Sequence, residues 1–261
     1  FDAYEEWLQR PDSRLFWLKA GPGVGKTAIA AQLVMRQRGT VIGSWFADAK
    51  SGELCNPVNA ILTLAFQWAL RWPDYRTRLL RVLGLTAYTA PELRVQLRKD
   101  LTKRNPQDLF RYLIVEPSQG LIWREHKLVV VIDALDEATD AQGGNPLTDF
   151  LAQQLGSLPC WVGFVVTSRP DPGVAARLQG FKPFTINAQD DRNLADLRTW
   201  YDGRLAPLST LAELSTAKQK WVRDLVLERS EGMMLYLRLV YEGLQEGAIT
   251  FEKLTDMPPG L

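Results

Sequence analysis

Residues 20–27 read Ala-Gly-Pro-Gly-Val-Gly-Lys-Thr, between the apolar Phe16-Trp17-Leu18 and the helix-forming Ala28-Ile29-Ala30-Ala31. A strand, a glycine-rich turn and a helix in that order point to an α/β chain, and the turn itself points to chemistry. Gly21, Gly23 and Gly25 lack a Cβ, so the backbone can curl and aim successive N–H groups at one point. Such a concavity suits phosphate oxygens. Lys26 adds a mobile ammonium for the β/γ oxygens, and Thr27 a hydroxyl for Mg²⁺. A helix starting near Lys26 contributes the positive end of its dipole. Pro22, Val24 and Ala28 complete the stretch expected to touch the phosphates. Ala20 stands at the first motif position, where glycine is usual, a mild departure that the looser form of the motif allows. The alternative reading is a glycine-rich turn with no ligand, and the flanking strand and helix count against it.

The 261 residues suit one large domain, or a core plus a lid. The charge balance, 31 basic against 30 acidic, gives no reason to expect nucleic acid or membrane as an obligatory partner. Cys55 and Cys160 lie in apolar stretches far apart in sequence, which is no disulfide framework and suits a reducing, cytoplasmic compartment. No secretory signal or apolar run of spanning length is visible. The chain opens on Phe1 without an initiator methionine and reads as an excised segment.

Short apolar runs alternate with helical patterns along the first 189 residues. Asp2–Gln9 reads as a short amphipathic helix, Leu15–Ala20 as the first buried strand, Lys26–Gln37 as a helix and Thr40–Ala47 as a second strand. Pro57–Trp72 is apolar nearly all round, short for a membrane span and suited to a buried helix or a partner face. Residues 74–125 read as mostly helical, with breaks around Gly84, Pro91, Pro106 and Pro117–Gly120. Leu128–Ile132 is wholly apolar and rich in β-branched residues, the mark of a central parallel strand covered on both faces, and Trp161–Thr167 (Val162, Phe164, Val165, Val166) repeats that pattern. Phe184-Thr185-Ile186 reads as a last short strand. Beyond Asp190 the strand pattern stops, with helices expected over 191–202, 210–229 and 231–246. The expected fold is an α/β P-loop NTPase fold of three layers, with a central parallel sheet of about five strands over 1–189. An all-helical lid over 190–256 and an exit linker at 257–261 follow.

A phosphate-binding loop also needs Mg²⁺ held in place and, for hydrolysis, a positioned water. Leu128–Ile132 runs into Asp133, so a buried strand delivers a carboxylate that can orient Mg²⁺ directly or through water. Asp136 and Glu137 follow, and one of them, Glu137 by preference, can orient the attacking water or take its proton. The same DALDEATD stretch also has the composition of a helix-capping cluster. Thr167-Ser168-Arg169-Pro170 follows the next buried strand, which brings Arg169 to the same sheet edge as Asp133. Its fixed positive charge suits a sensor of the γ-phosphate. His126 reads as a satisfied or solvated residue, and Trp17, Trp45 and Trp161 as core. A basic run (Arg71, Arg76, Arg78, Arg81, Arg94, Arg98, Lys99, Lys103 and Arg104) outnumbers Asp74, Glu92 and Asp100. It reads as a solvated helix face rather than a nucleic-acid or partner patch, because aromatic interleaving is missing.

With these motifs in place the chain resembles the NACHT branch of the STAND signalling ATPases. The resemblance is carried by FWLKAGPGVGKTA at 16–28, VVVIDALDEA at 129–138, with its small residue after the metal Asp, and FVVTSRP at 164–170. It extends to SEGMMLYLRLVYEGL at 230–244 and the ending MPPGL. It implies a switch whose states are set by ATP and ADP rather than steady turnover, with Mg²⁺ as cofactor and an ATP-state homo-oligomer. Effector and sensor domains are implied outside this segment. The matching positions are Lys26, Thr27, Asp133, Asp136, Glu137 and Arg169. Related switches often carry Gly-Leu-Pro in the lid, with the proline against adenine; here Gly232-Met233-Met234 stands there, which puts adenine contact from the lid in question. A winged-helix subdomain is also missing from the segment. No guanine-specifying Asn-Lys-x-Asp occurs, which favours adenine. A slow ATPase switch is therefore the leading expectation. A nucleic-acid-coupled ATPase and a scaffold that holds nucleotide without hydrolysing it are the alternatives.

Overall fold

The computed structural model describes residues 2–86, 88–99, 105–121, 126–139, 144–187, 190–254 and 256–260. The chain begins with α1 (Asp2–Leu8), β1 (Leu15–Lys19), α2 (Lys26–Arg36) and β2 (Val41–Phe46). A helical stretch follows, made of α3 (Gly52–Cys55), α4 (Pro57–Arg71), α5 (Pro73–Val82), α6 (Ala90–Lys99), α7 (Pro106–Phe110) and α8 (Glu116–Ser118). Next come β3 (Leu128–Asp133), α9 (Pro146–Gln154), β4 (Val162–Ser168), α10 (Pro172–Leu178) and β5 (Phe184–Asn187). The remainder is helical: α11 (Asp191–Trp200), α12 (Ser209–Ala212), α13 (Thr216–Arg229), α14 (Met234–Gln245) and α15 (Phe251–Leu254).

The five strands form one parallel sheet in the order β2-β3-β4-β1-β5. Every residue of β3 and β4 is buried, as expected of β-branched strands with helices on both faces. Their register pairs Val130 with Phe164 and Ile132 with Val166, while Phe46 of β2 pairs with Asp133. Parallel pairing brings the carboxyl ends of β3 and β4 to one edge, which is where polar residues replace the apolar run. Two helices press on the sheet where glycine gives way to tryptophan. A Cβ on Gly163 of β4 would stand 2.7 Å from Cη2 of Trp7 in α1, and one on Gly43 of β2 would stand 2.9 Å from Nε1 of Trp68 in α4. Both tryptophans are fully buried, and truncating either to alanine would cost about 3–5 kcal/mol. Lys127, just before β3, closes α1 from below: its ammonium donates to the carbonyls of Trp7 (2.7 Å), Leu8 (3.1 Å) and Arg10. Burial pushes its pKa down.

The chain divides into two compact units, Phe1–Leu18 with Thr27–Thr185, and Lys19–Lys26 with Ile186–Leu261. The first contains the sheet and a continuous core from Leu15 to Leu178. The second has its own core, built on Leu197, Leu205, Val222, Leu237 and Val240, with Val24 packed against it. The loop read from sequence as part of the first domain thus groups with the helical tail, against whose core the partly buried Val24 packs.

Several local expectations shift. The breaks expected around Pro91 and Pro106 lie just ahead of them, Pro91 being the second residue of α6 and Pro106 the first of α7, since a proline in the first turn sacrifices an N–H that has no partner anyway. The helix expected over 210–229 is split at Glu213–Ser215, and the next begins at Met234 because Glu231 (φ 48°) and Gly232 (φ 84°) turn the chain first. Trp17 and Trp45 are buried, Trp161 only partly, and Cys160 is exposed rather than apolar-packed. Residues 257–260, read as an exit linker, are tied to the helical unit: Gly260 N–H donates to Arg229 O (2.8 Å) and the Tyr236 hydroxyl to Pro258 O (3.2 Å). Lys103 and Arg104 of the basic run lie outside the described residues, as does the side chain of Lys99. Among the described residues, no helix is long and apolar enough to cross a membrane.

Candidate functional site

The glycine loop owes its shape to its backbone. Gly23 (φ 74°) and Gly25 (φ 97°) occupy the region that L-residues avoid. A Cβ built on Gly21 or Gly25 would meet nothing within 4 Å, so the requirement at Gly25 is conformational and the space beside it is open. The Lys26 ammonium folds back on the loop and donates to the carbonyls of Ala20 (2.9 Å) and Gly21 (2.7 Å). α2 starts at Lys26, and Thr27 and Ala28 are exposed in its first turn. The helical tail holds the loop from its own side: the Leu235 N–H in the first turn of α14 donates to Gly23 O (2.9 Å). Gly232, Met233 and Met234 form the entry to that helix, with the Gly232 carbonyl taken by Asn193 Nδ2 (3.0 Å) and Met233 buried at the N-cap.

The acidic turn after β3 is built from side chains. Asp133 is buried, and its Oδ1 accepts a 2.5 Å hydrogen bond from the Thr167 hydroxyl on β4. The same hydroxyl oxygen accepts the Ala134 N–H at 2.8 Å, so Thr167 fixes both the carboxylate and the first peptide of the turn. Ala134 has left-handed backbone (φ 54°, ψ 46°), a conformation that explains why a small residue follows Asp133. A tight turn over Leu135–Glu137 then presents two carboxylates to Arg169. The Arg169 backbone N–H donates to Asp136 Oδ1 (2.9 Å), its Nε lies 3.5 Å from Asp136 Oδ2, and its Nη2 lies 3.2 Å from Glu137 Oε1. Asp136 is the more enclosed of the two carboxylates, at 11% side-chain exposure against 33% for Glu137.

β3 and β4 therefore bring Asp133, Asp136, Glu137 and Arg169 together, as their spacing predicts. The capping reading of DALDEATD fails, because α9 begins only at Pro146 and is capped by Asn145, whose side chain accepts from the Thr148 N–H. The sequence reading gave no role to Thr167 or Ser168. Ser168 is fully buried and its Oγ accepts the Trp17 indole N–H at 2.8 Å, which links β4 to β1. The available signal was their position, since two hydroxyl residues end an otherwise apolar buried strand. Cys55, read from sequence only as a cysteine in an apolar stretch, has its Sγ within reach of the carbonyls of Asp48 (3.2 Å) and Glu137 (3.3 Å), either of which can accept its hydrogen bond, and burial pushes its pKa up.

The donor set fits Mg²⁺ in kind. Thr27 and Asp133 offer hard oxygens, and among the described residues no cluster of three or more His, Cys, Asp or Glu could cage a metal by itself. Mg²⁺ is commonly held by one or two protein oxygens plus phosphates and waters, a role these two oxygens suit.

A five-stranded parallel sheet with a glycine loop after β1 and an acidic turn after β3 defines an α/β fold of P-loop NTPase type. A family model described as Nephrocystin 3, N-terminal, matches residues 2–169, a span that runs from α1 to Arg169 and includes both the loop and the acidic turn. The chain belongs to that family, one of NACHT-like P-loop domains. No curated protein matches the chain.

Proposed function

We propose that the chain is an ATP-binding, slowly hydrolysing switch of the STAND type, whose nucleotide state sets its conformation and its assembly into homo-oligomers. The observation that carries this reading is the arrangement around Arg169, whose guanidinium is shared between Asp136 and Glu137 on a P-loop fold. A cation neutralised by two carboxylates has somewhere to go when a terminal phosphate arrives. Arg169 would turn from Glu137 toward the γ-phosphate, and the released carboxylate would orient a water for in-line attack. Lys26 would exchange the Ala20 or Gly21 carbonyl for a β/γ oxygen, and the loop N–H groups would donate to the phosphates. Thr27 and Asp133 would hold Mg²⁺, which offsets charge on the β/γ oxygens when bound. After hydrolysis Arg169 returns to Glu137, and these differing contacts in the two states are what a switch requires. The bond from Leu235 to Gly23 supplies a route by which the loop's conformation reaches α14.

The nucleic-acid-coupled alternative draws less support, because two guanidiniums of the basic run are held by backbone carbonyls. Arg71 donates to Val41 O, and Arg78 to the carbonyls of Gln119 and Gly120. Sedimentation of the protein with ADP, and then with a non-hydrolysable ATP analogue and Mg²⁺, tests the switch. A larger particle with the analogue is expected. The same mass in both states would leave only a nucleotide-holding scaffold.

A further inference from the structure

The two exposed arginines of α6 that make no ion pair among the described residues, Arg94 and Arg98, flank a cleft of about 270 Å³ against α4. They sit one helical turn apart, so both guanidiniums reach the same opening. The facing wall repeats at the same spacing: Asn59, Thr63 and Gln67 fall at successive turns of α4. Its two ends are fixed. Asn59 Nδ2 donates to Glu53 O (3.0 Å), and Gln67 exchanges hydrogen bonds with the backbone of Ser44 on β2 (2.6 and 3.2 Å). Thr63 between them has no side-chain partner among the described residues. The floor is apolar, with Leu62 and Leu97 buried and Phe66 half-buried.

From this we infer a second ligand site, in the α4–α6 cleft, for a small organic oxyanion: a phosphate or carboxylate carried on a compact apolar body. Two guanidiniums without a counter-charge among the described residues match an oxyanion, since each can donate two parallel N–H bonds to it. The apolar floor takes the body, and the Thr63 hydroxyl and Asn59 Oδ1 supply polar contacts between floor and rim. The volume lies just under the roughly 300 Å³ at which small-molecule sites begin, which limits the ligand to something near one ring and one anionic group. A nucleic-acid strand fits less well, because Arg71 and Arg78 of the basic run are held by backbone carbonyls. This site is independent of the phosphate loop and of the function proposed for it.

Phenyl phosphate and inorganic phosphate, titrated by heteronuclear NMR, test the inference on wild type, Lys26→Ala, Arg94→Ala/Arg98→Ala and Arg94→Lys/Arg98→Lys. Phenyl phosphate should shift α4 and α6 resonances saturably in wild type and equally in Lys26→Ala, and inorganic phosphate should bind more weakly for want of the apolar body. The double alanine variant should bind at least tenfold more weakly and the double lysine variant should recover part of the loss. Should the double alanine variant misfold, Thr63→Val, with a threefold or greater loss and unchanged melting, serves in its place. Affinity unchanged by either substitution, or binding abolished by Lys26→Ala alone, would overturn the assignment.

Discussion

In the loop of residues 20–26 the geometry resides in the backbone, with Gly23 and Gly25 at positive φ, whereas in the turn after β3 it resides in side chains drawn from β4. Each region also holds a cation, but differently. Lys26 rests on two neutral carbonyls, while Arg169 rests on two carboxylates. Exchanging a carbonyl for a phosphate oxygen is an easy gain in charge complementarity, and suits a residue whose task is affinity. Breaking an ion pair is favourable only when a comparably charged partner replaces it, and suits a residue whose task is discrimination between nucleotide states. On the proposed reading the loop binds and the turn decides.

That contrast can be broken or sharpened by substitution. The largest effect is expected from Glu137→Gln, which keeps a hydrogen-bonding group but removes the charge that would orient water. Single-turnover hydrolysis should fall by about 10²–10⁴-fold, with ATP affinity within threefold of wild type. Equal turnover would move the role to Asp136. Thr167→Val comes next, because it strips the buried Asp133 carboxylate and the Ala134 N–H of a partner at once. Urea denaturation should show a loss of roughly 1–3 kcal/mol, and a loss below that range would mean that the turn does not depend on Thr167. Gly25→Ala probes the backbone side of the contrast. With no neighbour to clash against, its cost should be the left-handed strain alone, on the order of 1–2 kcal/mol in the same assay. The smallest stability change is expected from Arg169→Ala. With its side chain 57% exposed, the ion pairs should contribute less than ~1 kcal/mol, while the response of hydrolysis or assembly to ATP is lost.

The same contrast explains what could be read in advance. A backbone that needs positive φ leaves glycines in the sequence, so the turn at Gly23 and Gly25 was legible. Buried parallel strands leave β-branched runs, so β3 and β4 were legible too, and with them the convergence of Asp133, Asp136, Glu137 and Arg169. Thr167 was not, because a hydroxyl at a strand end looks alike whether it faces water or a buried carboxylate; only the β3–β4 register places it beside Asp133. The grouping of residues 19–26 with the tail was hidden for a similar reason. It rests on Val24 packing against a distant helical core and on one backbone bond from Leu235, and neither leaves a local pattern. The basic run reads from sequence as a solvated helix face, and charge counting alone does not reveal that Arg71 and Arg78 within it serve backbone carbonyls.

The central claim is that residues 20–27 bind the phosphates of ATP through Lys26. Calorimetric titration of Mg²⁺ and ATP into wild type and a folded Lys26→Ala variant tests it most directly. Losing a charge-assisted contact should weaken binding roughly 10- to 150-fold. An unchanged affinity in the folded variant would contradict the phosphate-site assignment and the switch built on it.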